Sequence, residues 1–195
     1  MMSHGNFSGE PLTRWLTERD DDRRMQLLTL FNFTDPAGTL WDAPADWMVD
    51  GASIPRLLWT LIGSPYTGDY RRASVVHDVA CDRAGGDKPR RRAADRMFYH
   101  ACRAGGCGVS EAIVLYLGVR IGAIWSAVPQ WMPALLVAES GPRLFRSAAE
   151  DRMEADFRQA GEMVLAGGET DDVEEIERRV DDVMSALTAV DVRQL

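Results

Sequence analysis

His77 and Asp78 stand side by side in the segment Ser74-Val75-Val76-His77-Asp78-Val79-Ala80-Cys81, and Asp95 follows 18 positions after the histidine. Neighbouring residues on a helix point about 100° apart, so the imidazole and the first carboxylate leave the same turn on different sides. Val75, Val76, Val79 and Ala80 mark this helix as mostly buried. A buried histidine left without a partner costs ~1–3 kcal/mol, and Asp95 is the natural partner if the next helix runs back antiparallel. It would hold one ring nitrogen, fix the tautomer and stabilise the imidazolium, so that the other nitrogen takes a proton from an attacking water. Asp78 would face elsewhere, free for a hard cation such as calcium, which gathers about six to eight oxygens. The Asp50-Gly51 loop would supply further oxygens. A cation so placed polarises an ester carbonyl and stabilises the oxyanion. Each part also has a plainer reading: a histidine bonded in the core, an Asp95 paired with Arg91 or Arg92 on a helix surface, and an ordinary Asp-Gly turn.

Three helices must position these residues. Tyr70 to Arg83 reads as the first, closed by Gly85-Gly86. The second runs from about Lys88 to Arg103, with Asp87 placed to cap it and Pro89 tolerated in its first turn. Gly105-Gly106 stops it, and a third helix begins near Ser110 and runs toward Trp125. Residues 112–138 are nearly all apolar, but Arg120, Pro129, Gln130 and Pro133 interrupt the ~20 uninterrupted residues that a membrane span needs. A buried helix is the expectation, with an interfacial patch anchored by Trp125 and Trp131 as the alternative. Upstream, Met25 to Phe33 is rich in strand formers, and Thr34-Asp35-Pro36-Ala37-Gly38 has turn chemistry before a short return strand at Thr39 to Asp42. The spacing therefore predicts one small β-hairpin ahead of the helices.

The 195 residues divide into a polar N-terminal segment over 1–24, a core domain over 25–145 and an acidic helical tail over 146–195. The tail alone carries the net charge of −8, with 14 acidic against 6 basic side chains, while residues 1–145 balance at 16 of each. Without a net basic face, nucleic acid is not an expected ligand. A local basic stretch from Asp69 to Arg103, with Arg90-Arg91-Arg92 at its centre, suits an anionic surface instead. In the tail, Val173, Ile176, Val180, Val183, Leu187 and Val190 recur at three and four. This helix either docks on its own domain or pairs with a partner, a second copy or another protein, through residues 171–190. Cys81, Cys102 and Cys107 are too few for a disulfide scaffold and fit no zinc-motif spacing, so they read as buried or incidental thiols. His4 reads as disordered N-terminal sequence and His100 as a helix-surface residue. The polar start has the form of no signal peptide, which gives a reduced compartment as the expectation.

Asp50-Gly51-Ala52-Ser53-Ile54-Pro55, Trp59, His77-Asp78 and Ala94-Asp95-Arg96-Met97-Phe98 together resemble a widespread family of small, uncharacterised phage and bacterial proteins. The same region, about Leu27 to Ala123, is similar to the short bacterial and fungal branch of the secreted phospholipases A2. Those enzymes place a His-Asp pair on one helix and an Asp followed by an aromatic on the next. The resemblance implies His77 as the base, Asp95 as its orienting partner, and Asp78, Asp50 and Gly51 as a calcium site. It also implies a mainly α fold: a phospholipase A2-like helical core with antiparallel His-Asp and Asp helices, a short N-terminal β-hairpin and an acidic C-terminal helical tail. Two departures stand out: the cysteine three residues before the histidine is Ser74 here, and the tyrosine after His-Asp is Cys81. The expected function is calcium-dependent hydrolysis of lipid carboxyl esters at a phospholipid or membrane surface, in the cytoplasm or a phage particle. The alternatives are an inactive phage structural or accessory protein that binds its partner through the C-terminal helix, and a metal-dependent hydrolase of another substrate.

Overall fold

The computed structural model describes residues 3–16, 24–50, 68–126 and 148–192; the side chains of 124–126, 148–153 and 187–192 fall outside that description. Among the described residues, six short strands come first: β1 (Asn6–Phe7), β2 (Thr13–Trp15), β3 (Met25–Leu27), β4 (Phe31–Thr34), β5 (Leu40–Ala43) and β6 (Met48–Val49). Five helices of the described residues follow: α1 (Arg71–Ala84), α2 (Lys88–Gly105), α3 (Val109–Ser126), α4 (Ala148–Ala166) and α5 (Val173–Val192). The strands form two antiparallel three-stranded sheets, ordered β1-β4-β5 and β2-β3-β6.

This corrects the expected fold class. The protein is mixed α/β, with its strands in the N-terminal half, and not a helical core with one hairpin. The hairpin itself is present as β4 and β5, in register Phe31↔Ala43 and Phe33↔Trp41. Asp35 builds its turn by accepting the Ala37 and Thr39 amides, each at 2.9 Å, and the Trp41 indole N–H at 2.9 Å. What the composition concealed is that β1 pairs with the far side of β4 and that β2 and β6 flank β3. Strands of two or three residues carry no readable alternation; pairing with a neighbour creates them. Residues 1–24, expected as a loose polar segment, thus supply two strands. Gly5 has φ +92, and a Cβ there would sit 2.2 Å from the Thr34 carbonyl oxygen, so only glycine lets β1 approach β4 so closely.

Helix signals in the sequence translate directly. Asp87 accepts the Arg90 amide at 3.0 Å and caps α2. Gly106, at φ +119, closes it in the left-handed conformation. Every residue of α1 from Ala73 to Val79 is buried, as an apolar helix between sheet and helices requires. Arg83 ties its last turn to β5, donating to both Asp42 carboxylate oxygens at 2.8 and 3.1 Å, and this hydrogen bond holds Asp42 below the usual carboxylate range. Buried side chains from both sheets and all five helices merge into one core, including Leu27, Phe33, Phe98, Leu117, Phe157 and Ile176.

α5 lies on this body rather than apart from it. Ile176, Val180 and Val183 are buried one and two turns apart, and Glu177 beside them reaches Arg92 and Arg96 of α2. No helix among the described residues is long and apolar enough to cross a membrane. Trp125 and Trp131, expected as interfacial anchors, lie outside the described side chains. His4 and His100 both differ from expectation. The two imidazoles meet Nδ1 to Nδ1 at 3.2 Å, and His4 Nε2 donates to Asp171 Oδ2 at 3.0 Å, joining the start of the chain to the approach to α5.

Candidate functional site

α1 and α2 bring His77 and Asp95 into contact, as an antiparallel pair predicts. His77 Nε2 donates to Asp95 Oδ1 at 2.9 Å, and both side chains are fully buried. The Phe98 ring packs against the imidazole with centroids 4.7 Å apart. Cys81, one turn after His77, puts its sulfur 3.4 Å from Nε2 and 3.7 Å from Nδ1. Burial alone would push the imidazole pKa down. The neighbouring Cys81 and the Asp95 carboxylate outweigh it, and the value rises to about 10. The charged imidazolium is therefore the favoured form at neutral pH.

Asp95 has more partners than the histidine. Arg91, one turn before it on α2, donates from Nε to Oδ1 at 3.3 Å, and Arg120 of α3 donates to Oδ2 at 3.4 Å. Arg120 also bonds Asp181 of α5 at 3.2 Å, and Asp181 pairs in turn with Arg92. The lone arginine inside the apolar stretch thus serves as a bridge between the buried dyad and the last helix. A charge in such a stretch must find a buried counter-charge, and that is the signal by which sequence could have assigned it.

Asp78 occupies the next face of α1. Its Oδ2 accepts the Asp50 backbone N–H at 3.2 Å, a contact to the Asp50 main chain and not to its carboxylate; Gly51 lies outside the described residues. Asp50, Asp78 and Asp82, with Arg24, Met48 and Val49, line a cavity of about 370 Å³. Asp82, which belongs to no motif in the sequence, follows Asp78 by one helical turn and also accepts the Trp47 indole N–H at 3.2 Å. Two pairs therefore run side by side along α1: His77 with Cys81 toward α2, and Asp78 with Asp82 toward the cavity.

Fold and site together define a mixed α/β protein with a buried His–Asp dyad, a soft sulfur beside it and an acidic cavity on the adjoining helix face. Residues 25–119, which hold all of these groups except Arg24, Arg120 and Asp181, match the family described as Protein of unknown function (DUF1353). The chain is 38% identical over 125 residues to the uncharacterized protein y4jT of Sinorhizobium fredii, covering 63% of this chain and 35% of that one. It is 34% identical over 101 residues to the uncharacterized protein y4iH of the same organism, covering 52% and 39%. The chain therefore spans well under half the length of these curated relatives. No solved structure matches it.

Proposed function

We propose that the protein hydrolyses carboxyl esters of lipids, with His77 and Asp95 as the dyad that activates water and a divalent cation, calcium, at Asp78 and Asp50. The observation that carries this reading is the 2.9 Å bond from His77 Nε2 to Asp95 Oδ1, made across two helices. That bond fixes the ring, and Nδ1 becomes the nitrogen that accepts a proton once the imidazolium has released one. The likeness of the His77-Asp78 and Asp95 motifs to the bacterial and fungal phospholipases A2 supports the choice of ester and of lipid. The donor set fits a hard cation, since three carboxylates, Asp50, Asp78 and Asp82, border one cavity. Asp78 and Asp50 would hold the ion, with the Gly51 carbonyl as the motif implies; when bound, it supplies positive charge to a developing oxyanion. The chain's own residues do the rest: Asp95 orients the imidazole, and Arg91 and Arg120, which donate to both its oxygens, hold Asp95 in place.

A second reading is favoured by a specific observation. The dyad is fully buried, and its resting form is a charged pair held by two guanidiniums, which is also what a structural ion cluster looks like. In that case the protein is a scaffold or accessory protein, and a partner meeting the last helix would find Glu174 and Asp182 exposed rather than the buried Ile176 and Val180. Release of fatty acid from mixed anionic phospholipid vesicles, with calcium or with chelator, decides between the two. Calcium-dependent release by the native chain that disappears in His77→Ala supports the hydrolase. No release under either condition, with calcium leaving the melting temperature unmoved, discards the hydrolase and leaves the scaffold.

A further inference from the structure

His77, Cys81 and Asp95 offer one nitrogen, one sulfur and one oxygen that all lie within 4.8 Å of one another. No sequence motif announces this, because Asp95 joins the His-Cys pair only when α2 folds back on α1. We propose that these three side chains form a site for a soft divalent cation of the zinc class, separate from the hard-cation cavity at Asp50 and Asp78.

Three features carry the assignment. Histidine and cysteine one helical turn apart present their donor atoms to a common point, which is the usual way a helix contributes two ligands to zinc. Spacing comes next: tetrahedral zinc, with Zn–N of ~2.0–2.1 Å and Zn–S of ~2.3 Å, sets its nitrogen and sulfur ligands about 3.6 Å apart and its nitrogen and oxygen ligands about 3.3 Å apart. The Nε2 to Sγ separation here is 3.4 Å and the Nε2 to Oδ1 separation 2.9 Å. Both separations lie within a few tenths of an ångström of the tetrahedral values, and all three donor atoms stay within 4.8 Å of one another. Finally, a thiol is a poor ligand for calcium and a strong one for zinc, so chemistry sorts the two cations between the two faces of α1.

Arg91 and Arg120 weigh against any cation at Asp95, since both donate to its carboxylate. The exchange answers this. Zinc binds histidine and cysteine in their deprotonated forms, so protons leave as the ion enters and offset part of its charge. Asp95 can keep Oδ2 on Arg120 while Oδ1 turns to the metal. The acidic cavity also adjoins the site, because Asp78 follows His77 and Asp82 follows Cys81 on the same helix.

A regulatory consequence rests on the hydrolase reading above. With zinc on Nε2, the neutral ring carries its proton on Nδ1, and the nitrogen assigned to activate water has no lone pair to offer. Zinc would then hold the dyad shut, and calcium could not replace it.

Cobalt(II) is the probe. The full chain, stripped with chelator and kept reduced, is expected to bind one equivalent and develop a thiolate-to-cobalt charge-transfer band that zinc bleaches. Cys81→Ser should lose the band, whereas Cys102→Ser and Cys107→Ser should keep it. X-ray absorption at the zinc edge of the native chain gives a measurement independent of any variant's folding, with one sulfur neighbour and the remainder nitrogen or oxygen expected. Absence of the band in the native chain, its survival in Cys81→Ser folded by circular dichroism, or a zinc shell with no sulfur or with two would each overturn the site. Vesicle hydrolysis is assayed separately, and its failure would remove only the consequence for catalysis.

Discussion

Asp95 is the residue on which the buried chemistry turns. A carboxylate with no exposed surface accepts from an imidazole and two guanidiniums contributed by three helices. Removing it leaves the buried His77 imidazolium and Arg91 without that counter-charge, so Asp95→Ala is expected to lower stability by ~3–5 kcal/mol in urea denaturation. Arg120→Met should cost clearly less, because Asp95 keeps His77 and Arg91 while a similar apolar volume is retained. The reverse order would mean that Arg120, and not Asp95, is the centre of the network. The histidine, Asp78 beside it and Asp95 18 positions on were legible in the sequence because each is chemically distinctive. Arg91 was legible as a partner of Asp95 four residues on along the same helix, whereas Arg120 was not, since its approach from α3 comes from a third dimension that spacing along one helix does not encode.

At the scale of elements, helices α1 to α3 could be read almost to the residue because their ends are written in local chemistry: an Asp87 cap, a Pro89 in the first turn, and glycines after the last turns. Nothing local writes where α5 goes. Its apolar repeat fits a coiled coil and a docked helix equally, and the choice is made by Glu177, which is nearly fully buried and meets Arg92, Arg96 and the Tyr116 hydroxyl. Glu177→Ala is expected to cost ~3–5 kcal/mol and to speed amide exchange over residues 173–186 ahead of the rest. Uniform exchange across the chain would show α5 to be part of one cooperative unit. At the other end of α2, a Cβ on Gly105 would lie 2.2 Å from the Asp69 carbonyl oxygen. Gly105→Ala should therefore destabilise by ~1–3 kcal/mol through overpacking, despite alanine's better helix propensity, as a fall in melting temperature would report.

Over the whole molecule, the sheets were the part least visible in advance, because β1 skips two strands to pair with β4 and neither β1 nor β2 has length enough to alternate. The contacts that secure this end also set its response to acid. Burial, reinforced by His4 and Arg96 against Asp35 and Asp171, pushes His100 down to about 4. Asp171 is held below the usual carboxylate range by Arg103, Tyr99 and His4. An unfolded histidine protonates near ~6.5, so the unfolded chain binds the extra proton first, and stability falls as pH drops from 6.5 toward 4. The Asp171 contribution is lost further down, as pH falls through its depressed pKa. Chemical denaturation across that range should trace this decline, and His100→Gln should flatten its upper limb; an unchanged slope would dissociate His100 from it. The bond between His4 and Asp171 spans 167 positions. At a ribosomal pace of ~5–20 residues per second, roughly ten to thirty seconds separate the synthesis of these two partners. During that interval the first strand can find β4 but not its clasp, so a nascent chain would carry a half-fastened edge until its acidic tail arrives.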